Sequence, residues 1–388
     1  MRTSNHAGWL MAGAFLAAQA FAGPVITWVP PYSVPACKTM VKKDFGGGVG
    51  MKDGLSYLAL QWWVCDGGNI KQWGQVAGGN FDNDVAYFRD WGKANGVKVT
   101  LCVVNHIGDW NWGEARRSFI DNRAAFVKSL VAEVERLGLD GVELDLEGPT
   151  TPSANDSVQY IQLVRDLGAA LNPLGKVVTV ASFAAQYNAP NWKWWPELMK
   201  TAAAVTSMGY DEAGMSSPSG WKYPEQKKRA TPAHKLMIGM FGGSESWQGN
   251  SAAQHIDWVV ADGQVGLGIW DAALGNGTWE SAETWKKIGK IRANTPSAAV
   301  APGAAGSLPG LMTLRSAAGS LFASLSLPGR SDVRVRVLDL QGRQVAELYH
   351  GRGEGPLSVQ WNAPAAGAYL ISAQAGQATT TQAVTVAP

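Results

Sequence analysis

The sequence predicts a (β/α)8 TIM barrel followed by a small all-β sandwich. Three observations carry that prediction: strand-like and helical runs alternate from Pro24 to Arg292, the fourth strand-like run ends in a ladder of acids, and the composition changes after Arg292. The expected strands are Val25–Pro30, Tyr57–Val64, Lys98–Asn105, Gly141–Glu147, Val177–Phe183, Val205–Tyr210, Leu236–Phe241 and Val265–Trp270. Between them lie segments with helical apolar spacing. From Phe119 to Leu137, the residues Phe126, Leu130, Val134 and Leu137 share one face, and from Val158 to Leu171, Ile161, Val164, Leu167 and Leu171 do. Strands alternating with helices over this length are the pattern of a closed parallel barrel, in which functional groups sit at the carboxyl ends of the strands.

The chain is expected to divide into a signal peptide at 1–22, the barrel at 23–292, a linker at 293–310 and the sandwich at 311–388. Arg2, the apolar stretch from Trp9 to Phe21 and the small residues of Ala20-Phe21-Ala22 form an export signal that is too short to span a membrane. The linker is rich in Ala, Pro, Gly and Ser and has no apolar period. Short alternating strands follow at Leu321–Leu327, Val333–Asp339, Gln344–Leu348, Leu357–Trp361, Ala368–Ala373 and Thr380–Val386, with turns at Gly342, Gly355 and Gly367.

The fourth strand is the most informative. Asp140-Gly-Val-Glu-Leu-Asp-Leu-Glu147 alternates strictly, so Glu143, Asp145 and Glu147 project from one face and Val142, Leu144 and Leu146 from the other. Like charges at that spacing raise one another's proton affinity, so folding alone does not select them. Such a face is built for proton transfer or for a metal. An ion-pair network would need Lys or Arg, and the neighbouring strands supply no obvious partner. Asp140 has the opposite parity and reads as a structural residue at the start of the strand. For Glu147 the competing reading is a solvated strand-end acid.

Composition narrows the function. The chain has 388 residues, 46% hydrophobic and 16% charged, with a formal net charge of +2, so nothing in its charge favours nucleic acid. Three Cys cannot all pair internally. Cys37 and Cys65 fall just past two adjacent strands, where a disulfide is expected, and Cys102 reads as a small buried hydrophobe. No Cys/His spacing resembles a zinc site, and no metal or cofactor is expected. The 18 Trp are the unusual feature. Trp110 and Trp112 follow the third strand, Trp192, Trp194 and Trp195 the fifth, Trp221 and Tyr223 the sixth, and Trp247 the seventh. Flat aromatic faces in loops suit the C–H faces of sugars, whereas packing each ring onto its own loop is the structural alternative.

With these residues in view, the chain resembles glycoside hydrolase family 18, the chitinases and endo-β-N-acetylglucosaminidases. Asp140, Glu143, Asp145 and Glu147 are similar to that family's Asp-x-x-Asp-x-Asp-x-Glu element. Met208-Gly209-Tyr210-Asp211 is similar to its Met-x-Tyr-Asp element, and Trp270 to its barrel-floor Trp. Within the family, Trp28-Val29-Pro30-Pro31-Tyr32, Asp145-Leu146-Glu147-Gly148 and Tyr210-Asp211-Glu212 most resemble the spore-cortex peptidoglycan hydrolases. Two departures stand out: Glu143 replaces the usual Asp, and Val103-Val104-Asn105 replaces the strand-three Ser-x-Gly-Gly.

The resemblance implies a retaining glycosidase in which the substrate assists itself. Glu147 would protonate the glycosidic oxygen, Asp145 would orient the 2-acetamido group that attacks the anomeric carbon, and Glu143 would hold the proton that lets Asp145 switch partners. Tyr210 would hydrogen-bond the acetamido oxygen, Asp211 would help fix the sugar, Met208 would pack around it and Trp270 would stack on it. Trp110, Trp112, Trp194, Trp221 and Trp247 would extend the groove. The substrate would be a polysaccharide containing N-acetylglucosamine, either chitin or, as alternatives, peptidoglycan or an N-glycan. A chitinase-like lectin that binds without cutting is the reading from another class, and the presence of Glu147 counts against it. At the C-terminus, Val333 to Leu340, Gly342-Arg343, Gly367-Ala368-Tyr369-Leu370 and the strand from Thr380 to Val386 resemble a type IX sorting tail. That implies a secretion-machinery partner and a secreted or cell-surface protein. A carbohydrate-binding or fibronectin-like module is the competing reading of the tail.

Overall fold

Eight parallel strands close on themselves in the computed structural model. It describes residues 23–74, 80–148, 151–209, 222–247, 250–275, 277–293, 312–317, 320–338, 344–365, 367–375 and 378–386. The strands are β1 (Val25–Val29), β2 (Tyr57–Asp66), β3 (Lys98–Val104) and β4 (Gly141–Asp145), then β5 (Val177–Ser182), β6 (Ala204–Ser207), β7 (Leu236–Phe241) and β8 (Gly266–Trp270). Each pairs in parallel with the next, and β8 pairs with β1 to complete the barrel. The strands β3, β4 and β6 stop earlier than the sequence predicts, because the chain leaves the sheet ladder where it reaches the barrel mouth.

Around the barrel lie α1 (Val34–Lys42), α2 (Phe81–Asn95), α3 (Arg123–Leu137), α4 (Ala154–Leu171), α5 (Lys222–Arg229), α6 (Ala252–Asp262) and α7 (Ala282–Ala293). The apolar face expected on α3 is buried as Phe126, Leu130, Val134 and Leu137, but the helix starts only at Arg123, after a π-helical turn at Arg117–Asp121. By contrast α4 starts earlier than expected, because Ser153 and Asp156 form a reciprocal capping box at its start. Arg116 adds a two-pronged ion pair to Asp156. Burial works against the Asp156 charge, yet these partners hold its carboxyl down at about 2.

Two apolar layers follow from the strand alternation. The outward residues, among them Val142, Leu144 and Leu146, pack beneath the helices. A smaller inner cluster holds Ile26, Trp28, Ala59, Cys102, Val104 and Met237. In β2 the parity is broken by a bulge between Leu60 and Trp63. Gln61 keeps the inward parity of Tyr57 and Ala59, and the bulge lets Trp63 turn outward with Trp62 against Phe81. All three cysteines are free and buried, so the expected Cys37–Cys65 disulfide is not formed: Cys37 lies within α1 and Cys65 within β2, each packed in the outer core.

Two compact units divide at Pro296 and Ser297, and the second is an antiparallel sheet folded over its own core. Its strands are β9 (Met312–Ala317), β10 (Ser320–Leu338), β11 (Gln344–Asn362), β12 (Gly367–Ala375) and β13 (Ala378–Val386). The four strands expected between Leu321 and Trp361 are two long ones, β10 and β11, paired along their whole length. Gly355, expected at a turn, takes φ +69° inside β11, opposite a bulge where β10 carries the extra residues between Leu327 and Ser331. In β10, Leu321, Ala323, Leu325 and Leu327, then Val333, Val335 and Val337, face the apolar core. The expected signal peptide at 1–22 and nearly all of the linker at 293–310 lie outside the described residues.

Candidate active site

In β4, Glu143 and Asp145 point into the barrel, and both are buried. Neither makes a salt bridge among the described residues. Asp140, at the foot of the strand, accepts the Val99 N–H at 2.8 Å and has the structural role its parity implies. Burial pushes the Glu143 carboxyl well above the ordinary carboxylate range; the Thr179 hydroxyl beside it moderates the shift and the Asp145 charge adds to it. Neither Glu143 oxygen has a hydrogen-bond partner of normal geometry. A fully buried carboxyl without a cation is stable only when it keeps its proton. Glu143 is therefore neutral, and burial beside it raises the Tyr57 hydroxyl to about 12.

Asp145 stands one step nearer the mouth. Burial raises its carboxyl too, but Gln61 Nε2 donates to Asp145 Oδ2 at 2.7 Å, and Glu147 adds a second hydrogen-bonding neighbour; both favour the charged form. The environments of the two acids thus differ: the inner one has only the Thr179 hydroxyl beside it, short of normal hydrogen-bond geometry, and the outer one has Gln61 and Glu147. That separation is what assigns unlike roles to like groups.

Glu147 lies past the end of β4, half-buried, with its main chain held on both sides. Asn105 Oδ1 accepts the Glu147 N–H at 2.8 Å, and Asn105 Nδ2 donates to the Glu147 carbonyl at 2.8 Å. The following residue, Gly148, exchanges backbone hydrogen bonds with Ala189 at 2.8 and 3.0 Å. A side chain at Gly148 would meet the Trp112 ring at 2.7 Å, so the glycine of Asp145-Leu146-Glu147-Gly148 is required by close packing.

Above the acids opens a cavity of about 310 Å³, lined by Gln61, Asp145, Glu147, Trp110, Met208 and Trp270 among others. Trp270 is half-buried and inclined at 47° to Trp28, 6.0 Å away. Trp110 sits on a hairpin after β3 with its ring edge-on to His106 at 5.4 Å. A larger hollow of about 800 Å³ lies between α2 and α3, far from these acids, and its Arg136 is already paired with Asp82 and Glu133. Among the described residues, no three His, Cys, Asp or Glu side chains come together as a metal would require.

The structure brings Glu143, Asp145, Glu147, Met208, Trp110 and Trp270 to one site. Trp112 and Trp194, expected in the groove, are instead core residues. Each is about 5% exposed, Trp112 packs on Phe119 and Trp194 on Tyr160. They lie in loops by sequence, but the loops tuck these rings under the helices rather than toward the mouth. Tyr210, Asp211 and Trp221 fall outside the described residues, as does the side chain of Trp247, whose backbone pairs with Asn250. Sequence reasoning missed Gln61, Trp28 and Asn188. Gln61 shares the parity of Tyr57 and Ala59 and is the polar residue among them, which is the signal that could have found it.

Residues 55–375 match the model of glycosyl hydrolases family 18, well over half of the chain. A probable endochitinase of Caenorhabditis elegans is 27% identical over 209 residues, covering 44% of this chain and 33% of that protein. The chain spans about a third of the length of the curated relatives it matches. Among solved structures, a chitinase from Chromobacterium violaceum matches with a TM-score of 0.52 at 15% identity, covering 70% of this chain and 99% of the other. The spore cortex-lytic enzyme of Bacillus megaterium matches with a TM-score of 0.51 at 12% identity, covering 70% and 74%. Both structural likenesses concern the fold alone. With the acid ladder at the carboxyl end of β4 and the family match running through it, the chain belongs to the glycosyl hydrolases of family 18.

Proposed function

We propose that the protein is a secreted, retaining, chitinase-like glycoside hydrolase that cleaves β-1,4-linked N-acetylglucosamine glycans by substrate-assisted catalysis. The observation that carries this reading is the graded acid ladder of β4: a neutral Glu143, an Asp145 held by Gln61, and Glu147 facing the cavity beside Trp270. Glu147 gives its proton to the glycosidic oxygen as the bond to the anomeric carbon breaks. The acetamido carbonyl oxygen of the same sugar forms the new bond to that carbon from the opposite face, and Asp145 balances the positive charge that develops on the acetamido nitrogen. Water then adds to the anomeric carbon on the face the leaving group left, the bond to the acetamido oxygen breaks to restore the acetamide, the water's proton passes to Glu147, and the configuration is retained. Tyr210 and Asp211 would complete the sugar contacts, and Trp270 would stack beneath the ring.

A second reading, cleavage of peptidoglycan by the same groups, gains from the burial of Trp112 and Trp194, which removes two rings from the long aromatic groove that chitin would favour. Export through an N-terminal signal and the C-terminal sheet is part of the proposal and rests on sequence resemblance. Among the described residues no helix is long and apolar enough to cross a membrane.

Hydrolysis of chitin oligosaccharides and of peptidoglycan by the full chain, wild type beside Glu147→Gln, tests the reading. Cleavage of one substrate that falls by about a thousandfold in the variant, with binding kept, identifies both the acid and the glycan. Tight binding without cleavage by the wild type would leave a lectin.

A further inference from the structure

We propose that Asn105 is a positioning residue for proton delivery: its side-chain amide replaces the missing sheet ladder and holds the main chain of Glu147 where the acid can reach the leaving oxygen. The inference rests on the hydrolase reading above and concerns how its acid is aimed.

The pairing of β3 with β4 ends at Val104 opposite Asp145. Two residues later the chain must still present Glu147 at a fixed point, and no strand is left to hold it. Asn105 supplies one donor and one acceptor in a plane, the same pair a peptide unit offers. Both are used on one residue, with Glu147 N–H and C=O each at 2.8 Å. Asn105 is fully buried, so these bonds do not compete with solvent. Its own carbonyl is engaged by the Asn111 N–H at 3.1 Å, which ties the start of the β3 loop back to it. On the far flank Gly148 is bonded to Ala189. The Glu147 backbone is thus fixed from both sides.

The chemistry of the amide is specific. An ionised carboxylate at this position could accept the Glu147 N–H but would set a negative oxygen against the Glu147 carbonyl. Alanine would remove both bonds. A general acid works only within about 2.6–3.2 Å of its oxygen, and a 1 Å misplacement costs on the order of 100-fold.

The test uses two substrates of the full-length protein that differ in how much they need an acid. A chitin oligosaccharide has a sugar alkoxide leaving group and needs the proton; the 4-nitrophenyl glycoside of the same sugar unit leaves as a stabilised phenolate and needs it far less. For Asn105→Asp at pH 7, kcat on the oligosaccharide should fall about 100-fold with KM nearly unchanged, and kcat on the nitrophenyl glycoside should fall by less than about tenfold. Lowering the pH should narrow the gap from wild type, because the protonated carboxyl again offers one donor and one acceptor. Asn105→Ala should show the same substrate split without recovery at low pH.

The ratio of the two rates does not depend on how much protein is folded, so a poorly folding variant still reports. An unchanged ratio in Asn105→Asp beside an active wild type would overturn this inference alone. A wild type that cleaves neither substrate would overturn the hydrolase reading and the inference with it.

Discussion

Two sheets in this molecule carry acids, and they treat them in opposite ways. On the C-terminal sheet, Glu347 and Asp332 meet Arg334 and Arg352 across the β10–β11 pair, in water. In the barrel, Glu143 and Asp145 are enclosed, and no cation answers either among the described residues. A cross-strand ion pair in solvent contributes little and asks nothing of its surroundings. An enclosed acid without a cation has to be kept by something other than stability, and here that is the need for groups of unlike proton affinity at adjacent positions. The difference separates acids that decorate a fold from acids that the fold is arranged around.

The comparison can be broken most severely at Asp145. Asp145→Asn keeps the volume and removes the charge, so turnover of the cleaved glycan should fall by about 100-fold or more while the melting temperature changes little. Steady-state kinetics beside a thermal melt checks this, and a variant with near-normal kcat would return Asp145 to the class of structural acids.

A subtler effect is expected at Glu143. Burial raises its carboxyl, so the folded state binds that proton more tightly than the unfolded chain does. The stability this contributes is complete below the unfolded carboxylate range, about pH 4, and is lost as pH rises toward the raised folded value. Glu143→Gln has no proton to lose. Its melting temperature should match wild type near pH 4 and exceed it by a few degrees, roughly 2–4, at pH 8. Melts across that range decide the point, and a difference that does not change with pH would mean Glu143 is not held neutral.

The smallest effect belongs to the other sheet. Arg334→Ala should cost less than about 1 kcal/mol, and added salt should erase most of it. A loss of several kcal/mol in a salt-independent melt would show that the tail's acids are as embedded as those of the barrel.

Much of the site was legible in the sequence because the property concerned is local. Period-two alternation places Glu143 and Asp145 on one face whatever surrounds them, and Trp270 closes a run of strand residues. The aromatic loops were read less well. Trp112 follows Asn111 and Trp194 lies two residues before Pro196, as the pattern for exposed rings describes, but Gly148 lets Trp112 pack closely and Tyr160 receives Trp194. The direction of a loop side chain depends on distant neighbours, and no window of sequence contains them. The same holds for β11, whose Gly355 reads as a turn while a bulge in β10 opposite absorbs it inside a longer pair.

By itself the sequence determined the alternation of strands and helices, and with it the barrel, the parity of the acids and their place at the end of the fourth strand. These follow from periodicity along one chain. Only the tertiary structure decided that the inward-facing Gln61 reaches Asp145, that a bulge turns Trp63 out beside Trp62, and that Asn105 holds Glu147. Those contacts join residues 84 and 42 positions apart, and they exist because closing the barrel brings separate strand ends to one rim.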